Sequence, residues 1–202
     1  NQPELALENA LIAYNATPNN RNLILLSFTY DSLEQRDKTF ELLKQHVEKQ
    51  PKDFAAKMLL AERQIGGDVA GAIATYEVAL QQNPNNYIAH NNLAYLYLQK
   101  GDIDKAKGFG QKAVELQPNN SAALDTLAQI YVAEKDYKEA LSLYERAITD
   151  AMQNEEIYLN YVEALLLAEE TFLAKRKLGQ REMKLEASLI REAKLKADYG
   201  LE

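Results

Sequence analysis

The sequence holds no cysteine, two histidines and five prolines in 202 residues. The missing cysteines exclude disulfides, thiolate metal sites and cysteine nucleophiles. They leave the compartment open, because a cysteine-free chain suits cytosol and periplasm alike. Neither His46 nor His90 has a partner at HxxxH or HxxE spacing, so both are expected to pack and not to hold zinc. Long apolar runs are also lacking. Residues 23–26 and 164–168 are the longest candidates, far below the about 18 residues that a membrane span needs. No stretch has the charge-then-apolar order of a signal peptide. No alternation of Val, Ile and Thr sits between turn residues, so strands have no support. A net charge of −7 denies the chain the broad basic face of a general nucleic-acid binder.

The few prolines carry the organisation. Pro18, Pro51, Pro84 and Pro118 are spaced by 33, 33 and 34 residues, and a further step of 34 reaches Met152. Each interval reads as two helices with a turn between them, most clearly at Tyr87–Asn120. Asn19-Asn20, Asp53, Asn85-Asn86, Asn119-Asn120 and Asn154 stand where first helices begin, since their side chains can accept from a free first turn. Turns inside the intervals are expected at Gln35-Arg36, Gly66-Gly67, Gly101, Lys135 and Glu169-Glu170. Gly67 and Gly101 are suited to a left-handed end.

The same residue types recur in phase. Leu93-Ala94, Tyr97, Ala106, Ala113 and Pro118 mark the central interval, and Leu127-Ala128, Tyr131, Ala140, Tyr144 and Ala147 the next. Leu60-Ala61, Ala72, Tyr76 and Ala79 precede them. The first interval has Leu26-Ser27, Tyr30 and Leu43, with Thr39 and His46 where Ala is usual. The last has Tyr161-Val162, Leu165, Ala174 and Leu178. This period and pattern resemble the tetratricopeptide repeat (TPR) over nearly all of residues 3–182.

The resemblance implies an all-α fold, a right-handed TPR solenoid of antiparallel helix pairs with a C-terminal capping helix. The repeat array spans 1–182: a half-unit at 3–16, then units at about 19–51, 52–84, 85–118, 119–152 and 153–182. The capping helix covers 183–200, and 201–202 reads as a cloning scar. Residues 3–16 have the alanine face of a second helix, so further repeats before Asn1 are expected, with an N-terminal capping helix as the alternative. The last paired helix is expected to run into the capping helix with a bend near Gly179. Residues 171–200 hold eight Lys/Arg and four Asp/Glu; this basic face is either solvated charge or a contact for anionic lipid or an acidic partner.

Other chemistry has little support. Ser27 is a spacer between helices and no GxSxG is present. Gly108–Ala113 matches GxGxxA, but the match falls inside a helix and lacks the strand that a dinucleotide site requires. Gly110 stands where an aromatic usually packs, so a weak or closely packed spot is expected there. Glu155-Glu156 and Glu169-Glu170 are adjacent on helices and do not face each other. No catalytic residue, cofactor or metal is expected.

The resemblance places a ligand on a concave groove lined by first helices. Carried onto this chain, the peptide-binding residues are Asn91, Asn92, Tyr95, Gln99, Asp125, Thr126, Gln129, Asn160 and Glu163. Val132, Leu159 and Leu166 lie beside them, with Arg21 and Phe28 as the first unit's counterparts. Asn92 and Asn160 have no matching Lys, and Asp125 and Glu163 would repel a carboxylate, so a clamp for C-terminal carboxylates is rejected. The expected partner is a protein or peptide, neutral or basic and partly apolar; the alternative is that the strip is merely solvated or lies under the terminal helix.

The implied function is a non-catalytic interaction scaffold. NNLAYLYLQKGD and ALDTLAQIYVAEKDYKEAL further resemble bacterial envelope TPR lipoproteins of exopolysaccharide and PEP-CTERM protein sorting. That implies a periplasmic or envelope-tethered place over a cytoplasmic one. The alternatives are an accessory domain of a larger enzyme, such as a glycosyltransferase, and self-association into a homo-oligomer.

Overall fold

The computed structural model describes residues 2–150 and 154–201, with Asp150 described by its backbone alone. Among the described residues the regular elements are all helices: α1 Gln2–Ala16, α2 Asn20–Ser32, α3 Arg36–Lys49, α4 Phe54–Gln64, α5 Val69–Gln82, α6 Tyr87–Gln99, α7 Ile103–Leu116, α8 Ser121–Ala133, α9 Tyr137–Asp150, α10 Glu155–Leu167, α11 Thr171–Gln180 and α12 Glu186–Tyr199. Met152, the step that replaces a fifth repeat proline, lies outside the described residues. They form two compact units, Asn1–Asn85 and Asn86–Glu202.

Side-chain caps set where the first helices start. Asn19, Asp53, Asn86, Asn120 and Asn154 each accept from a backbone N–H in the first turn of α2, α4, α6, α8 and α10. Each cap satisfies a donor that the helix itself leaves unpaired, worth about 1 kcal/mol. The turns to the second helices use a left-handed residue at Glu34, Gly101, Lys135 and Glu169, with φ of 58°, 75°, 63° and 64°. Three of these four are not glycine. Gly67 does not adopt a positive φ, contrary to the expectation. That turn runs Ile65–Gly67, and Asp68 caps α5 through the Gly71 N–H.

In the first unit, α2 packs on α1, α3 and α4, and α4 on α5. Leu23, Leu43, Ala56 and Leu60 form a core, with Tyr14, Phe40 and Val47 against it. Thr39 and His46, which replace the usual alanines, are buried and must therefore be hydrogen-bonded. The Thr39 hydroxyl reaches Asp31 Oδ1 at 2.7 Å. His46 Nδ1 lies 2.7 Å from the Tyr14 hydroxyl and Nε2 lies 3.0 Å from Asp53 Oδ2.

In the second unit the pairs α6/α7 and α8/α9 pack along their lengths, and α6, α8 and α10 touch in succession. Ala94, Ala106, Ala113, Ala128, Ala140 and Ala147 are fully buried between them. Phe109 stacks on Tyr97, ring centroids 5.6 Å apart, while Gly110 is buried and a Cβ there would lie 3.1 Å from Ile130 Cδ1 and 3.2 Å from Leu127 Cδ1. The expected spot is thus closely packed at Gly110; a Cβ at Gly108 meets nothing within 4 Å.

The tail departs from expectation. Gly179 stays inside α11, and the chain breaks instead at Arg181–Leu185, so the last helix begins at Glu186 and not at 183. The physical reason is Glu155. Its carboxylate accepts from Lys184 N–H at 2.8 Å and Leu185 N–H at 3.0 Å, while Met183 is buried. These contacts hold the link across the start of α10 and lay α12 on that helix. Leu201, set aside as a scar, is buried too.

Two outcomes are expected. Gly108→Ala raises stability by about 1 kcal/mol, because an open helical glycine gains only from reduced backbone entropy. Gly110→Ala gains less, since the added carbon crowds Ile130 and Leu127; urea unfolding of both variants reads the order. The N–H groups of Leu185 and Lys184 hold the Glu155 carboxyl below its ordinary range against the opposing effect of burial. A lowered carboxyl pKa stabilises above its unfolded value and is lost as pH falls through the folded one. Glu155→Gln therefore lowers the urea midpoint at pH 7, and its difference from the parent closes as pH drops through the carboxylate range. A difference that stays constant with pH contradicts this.

Candidate functional site

The side-by-side first helices of the second unit build a wall from α6, α8 and α10. The helical repeat that buries Leu93-Ala94 and Leu127-Ala128 turns the intervening positions outward. On α6, Tyr95 is exposed at 39% and its hydroxyl accepts from Gln99 Nε2 at 2.6 Å. Asn91 and Asn92 are half-buried beside it, and Asn91 Oδ1 is buried with no hydrogen-bond partner. This end of the wall offers amide groups and a phenol on an apolar body, a set that suits a peptide backbone or a mixed side-chain surface.

Toward α10 the expected residues face one another. Asp125 Oδ1 accepts from Asn160 Nδ2 at 2.8 Å, and Oδ2 accepts from Gln129 Nε2 at 2.9 Å. Burial pushes the Asp125 carboxyl up, against the lowering effect of these two amides and of Arg191. Thr126 is buried and its hydroxyl donates to the Ala122 carbonyl at 3.0 Å, while Leu159 and Leu166 are buried in packing. Val132 is half-buried on the wall.

Glu163 has an in-chain partner. Arg191 of α12 donates to Glu163 Oε2 at 2.6 Å. Arg191 also closes a hollow of about 210 Å³ whose other walls include Val132, Tyr144, Asn160 and Leu167. Arg191 was not singled out from the sequence; the signal available was the basic tail. Arg21 and Phe28, the counterparts in the first unit, lie exposed on α2, Phe28 at 70% beside exposed Ile24 and Leu25.

One constellation has the look of acid–base chemistry. Tyr14, His46 and Asp53 form a chain of hydrogen bonds. His46 is 1% exposed, and Asp53 also caps α4 through the Ala56 N–H. The Asp53 carboxyl lies below its ordinary range; burial, the largest influence, raises it, but the Ala56 N–H, His46 and Asn20 together hold it down. The chain therefore ties α1, α3 and α4 together as a structural link. Among the described residues no group of three or more His, Asp or Glu could hold a metal, and no helix is long and apolar enough to cross a membrane.

Comparison with known proteins follows this geometry. Residues 66–130 match one tetratricopeptide-repeat family model and residues 121–164 a second. No curated protein matches the chain. A tetratricopeptide repeat protein from Parabacteroides merdae superposes with TM-score 0.79 at 17% identity, covering 97% of this chain and 80% of that one. A thermophilic TPR protein from Thermus thermophilus gives TM-score 0.64 at 23% identity over 81% of this chain and 91% of that one. A fragment of MamA from Desulfovibrio magneticus gives 0.70 at 12% identity over 79% and 91%. The structural likenesses establish the fold, and the two family models establish the repeats within it. Capped first helices, alanine-lined pairs and these matches together identify residues 66–164 as tetratricopeptide repeats.

Proposed function

We propose that the wall of α6, α8 and α10 binds a peptide or helix of a partner protein, and that the chain acts as a non-catalytic scaffold. Tetratricopeptide repeats support protein–protein interaction as the general role. The observation that carries the finer reading is Tyr95, a large aromatic held outward beside the amides of Asn91, Asn92 and Gln99. Aromatic groups with a polar tip are the side chains on which interface energy concentrates. Asp125 and Glu163 further along the wall favour a neutral or basic partner that is partly apolar. The resemblance of the two central units to envelope repeat lipoproteins extends the proposal to a place in exopolysaccharide or protein-sorting assembly at the bacterial envelope.

A pull-down from the native envelope fraction tests it. Asn92→Ala/Tyr95→Ala should change stability by less than about 1 kcal/mol, because Tyr95 is exposed and Asn92 only half-buried. The parent chain is expected to retain a partner that this double variant loses. Equal recovery by both forms removes the wall as the binding face.

A further inference from the structure

The last helix sits on the proposed wall as a ligand would. Three observations define its seat. Residues 183–185 are pinned across the start of α10, with Met183 buried and Glu155 accepting from both Lys184 N–H and Leu185 N–H. Arg191 reaches back to Glu163. Of α12 itself Ser188 and Leu195 are buried, while Leu189 and Ile190 are 47% and 65% exposed. The helix is thus held at its leading end, by the Arg191 ion pair and by Leu195 and Leu201 toward its far end, with Leu189 and Ile190 left open between them.

The surface beneath carries more acid than α12 neutralises. Asp125 and Glu163 stand there: Arg191 donates to Glu163, while Asp125 is met directly by two neutral amides. Beside Arg191 the hollow of about 210 Å³ between Val132, Tyr144, Asn160 and Leu167 is not filled by any side chain of α12. A helix carrying a bulky apolar residue next to its Arg or Lys would make the contact that α12 leaves unmade.

We propose that the α8–α10 surface is an interaction site for a basic amphipathic helix of a partner protein, and that α12 is its built-in competitor. The incoming helix sets an Arg or Lys against Glu163 in place of Arg191, adds a second charge contact toward Asp125, and fills the hollow. This rests on the wall being the interaction face and assigns the chemistry of what it takes. Competition by a tethered helix sets a threshold, because the partner must outbid a segment present at high effective concentration.

A labelled peptide of residues 183–201 supplied in trans to the full chain tests this. Arg191→Glu places like charges together and weakens the hold of α12. That variant should bind the peptide about tenfold more tightly than the parent, whose surface is already occupied. Adding Glu163→Lys restores the ion pair in reverse; the double variant should lose the gain and favour a peptide that itself carries Arg191→Glu. Far-UV circular dichroism checks folding, and Arg191→Gln carries the same expected order if Arg191→Glu loses helix. Equal binding by parent and Arg191 variants, or a gain that survives Glu163→Lys, overturns the proposal. Either result does so whatever the Tyr95 comparison gives, so failure here is distinct from failure of the wall.

Discussion

Where α7 lies against α6 and α8, one added carbon at Gly110 would touch Ala94 of α6 at 3.7 Å and crowd Ile130 and Leu127 of α8 at 3.1 and 3.2 Å. The same closeness recurs wherever a buried alanine sits at a helix crossing: Ala61, Ala72 and Ala79 in the first unit, and Ala128, Ala140 and Ala147 in the second. Small side chains give each helix pair its short separation, and Tyr76, Tyr144 and Tyr161 fill the volume that remains. Such a pair has too little core to stand alone, so it is stable only against its neighbours.

That dependence explains where the wall of α6, α8 and α10 comes from. Burying one side of every first helix against its pair turns the other side outward, and in the second unit those outward sides adjoin. The wall is a by-product of packing, and its chemistry is written in residues that the packing does not use. Tyr95 and Gln99 are of that sort. Thr126, Leu159 and Leu166 are drawn back into the core, and Glu163 is engaged by the chain's own last helix.

The repeat register was legible because it rests on local rules. An asparagine or aspartate before each first helix, a Leu-small pair within it and alanines in its partner are short-range signals whose meaning does not depend on distant chain. The tail was less legible. Gly179 looked like a natural bend, yet it stays helical, because what breaks the chain at 181–185 is a carboxylate some thirty residues earlier. The fate of Asp125 was hidden for the same reason, since its amide partner Asn160 lies 35 residues away and one helix over. Gly67 failed as a left-handed signal, while Glu34, Lys135 and Glu169 adopt that conformation without glycine's help. The fold at those turns overrides a penalty of about 1–2 kcal/mol per residue.

The account stands on helix proximity through alanine, and one comparison tests it directly. Ala94 is fully buried at a crossing, whereas Ala122 is exposed on the equivalent helix of the next pair. Urea unfolding of Ala94→Leu against Ala122→Leu measures the difference. The account predicts a loss of about 1–3 kcal/mol for Ala94→Leu and a change within about 0.5 kcal/mol for Ala122→Leu. Equal stability of the two variants would mean that the helices do not need their small residues, and would contradict it.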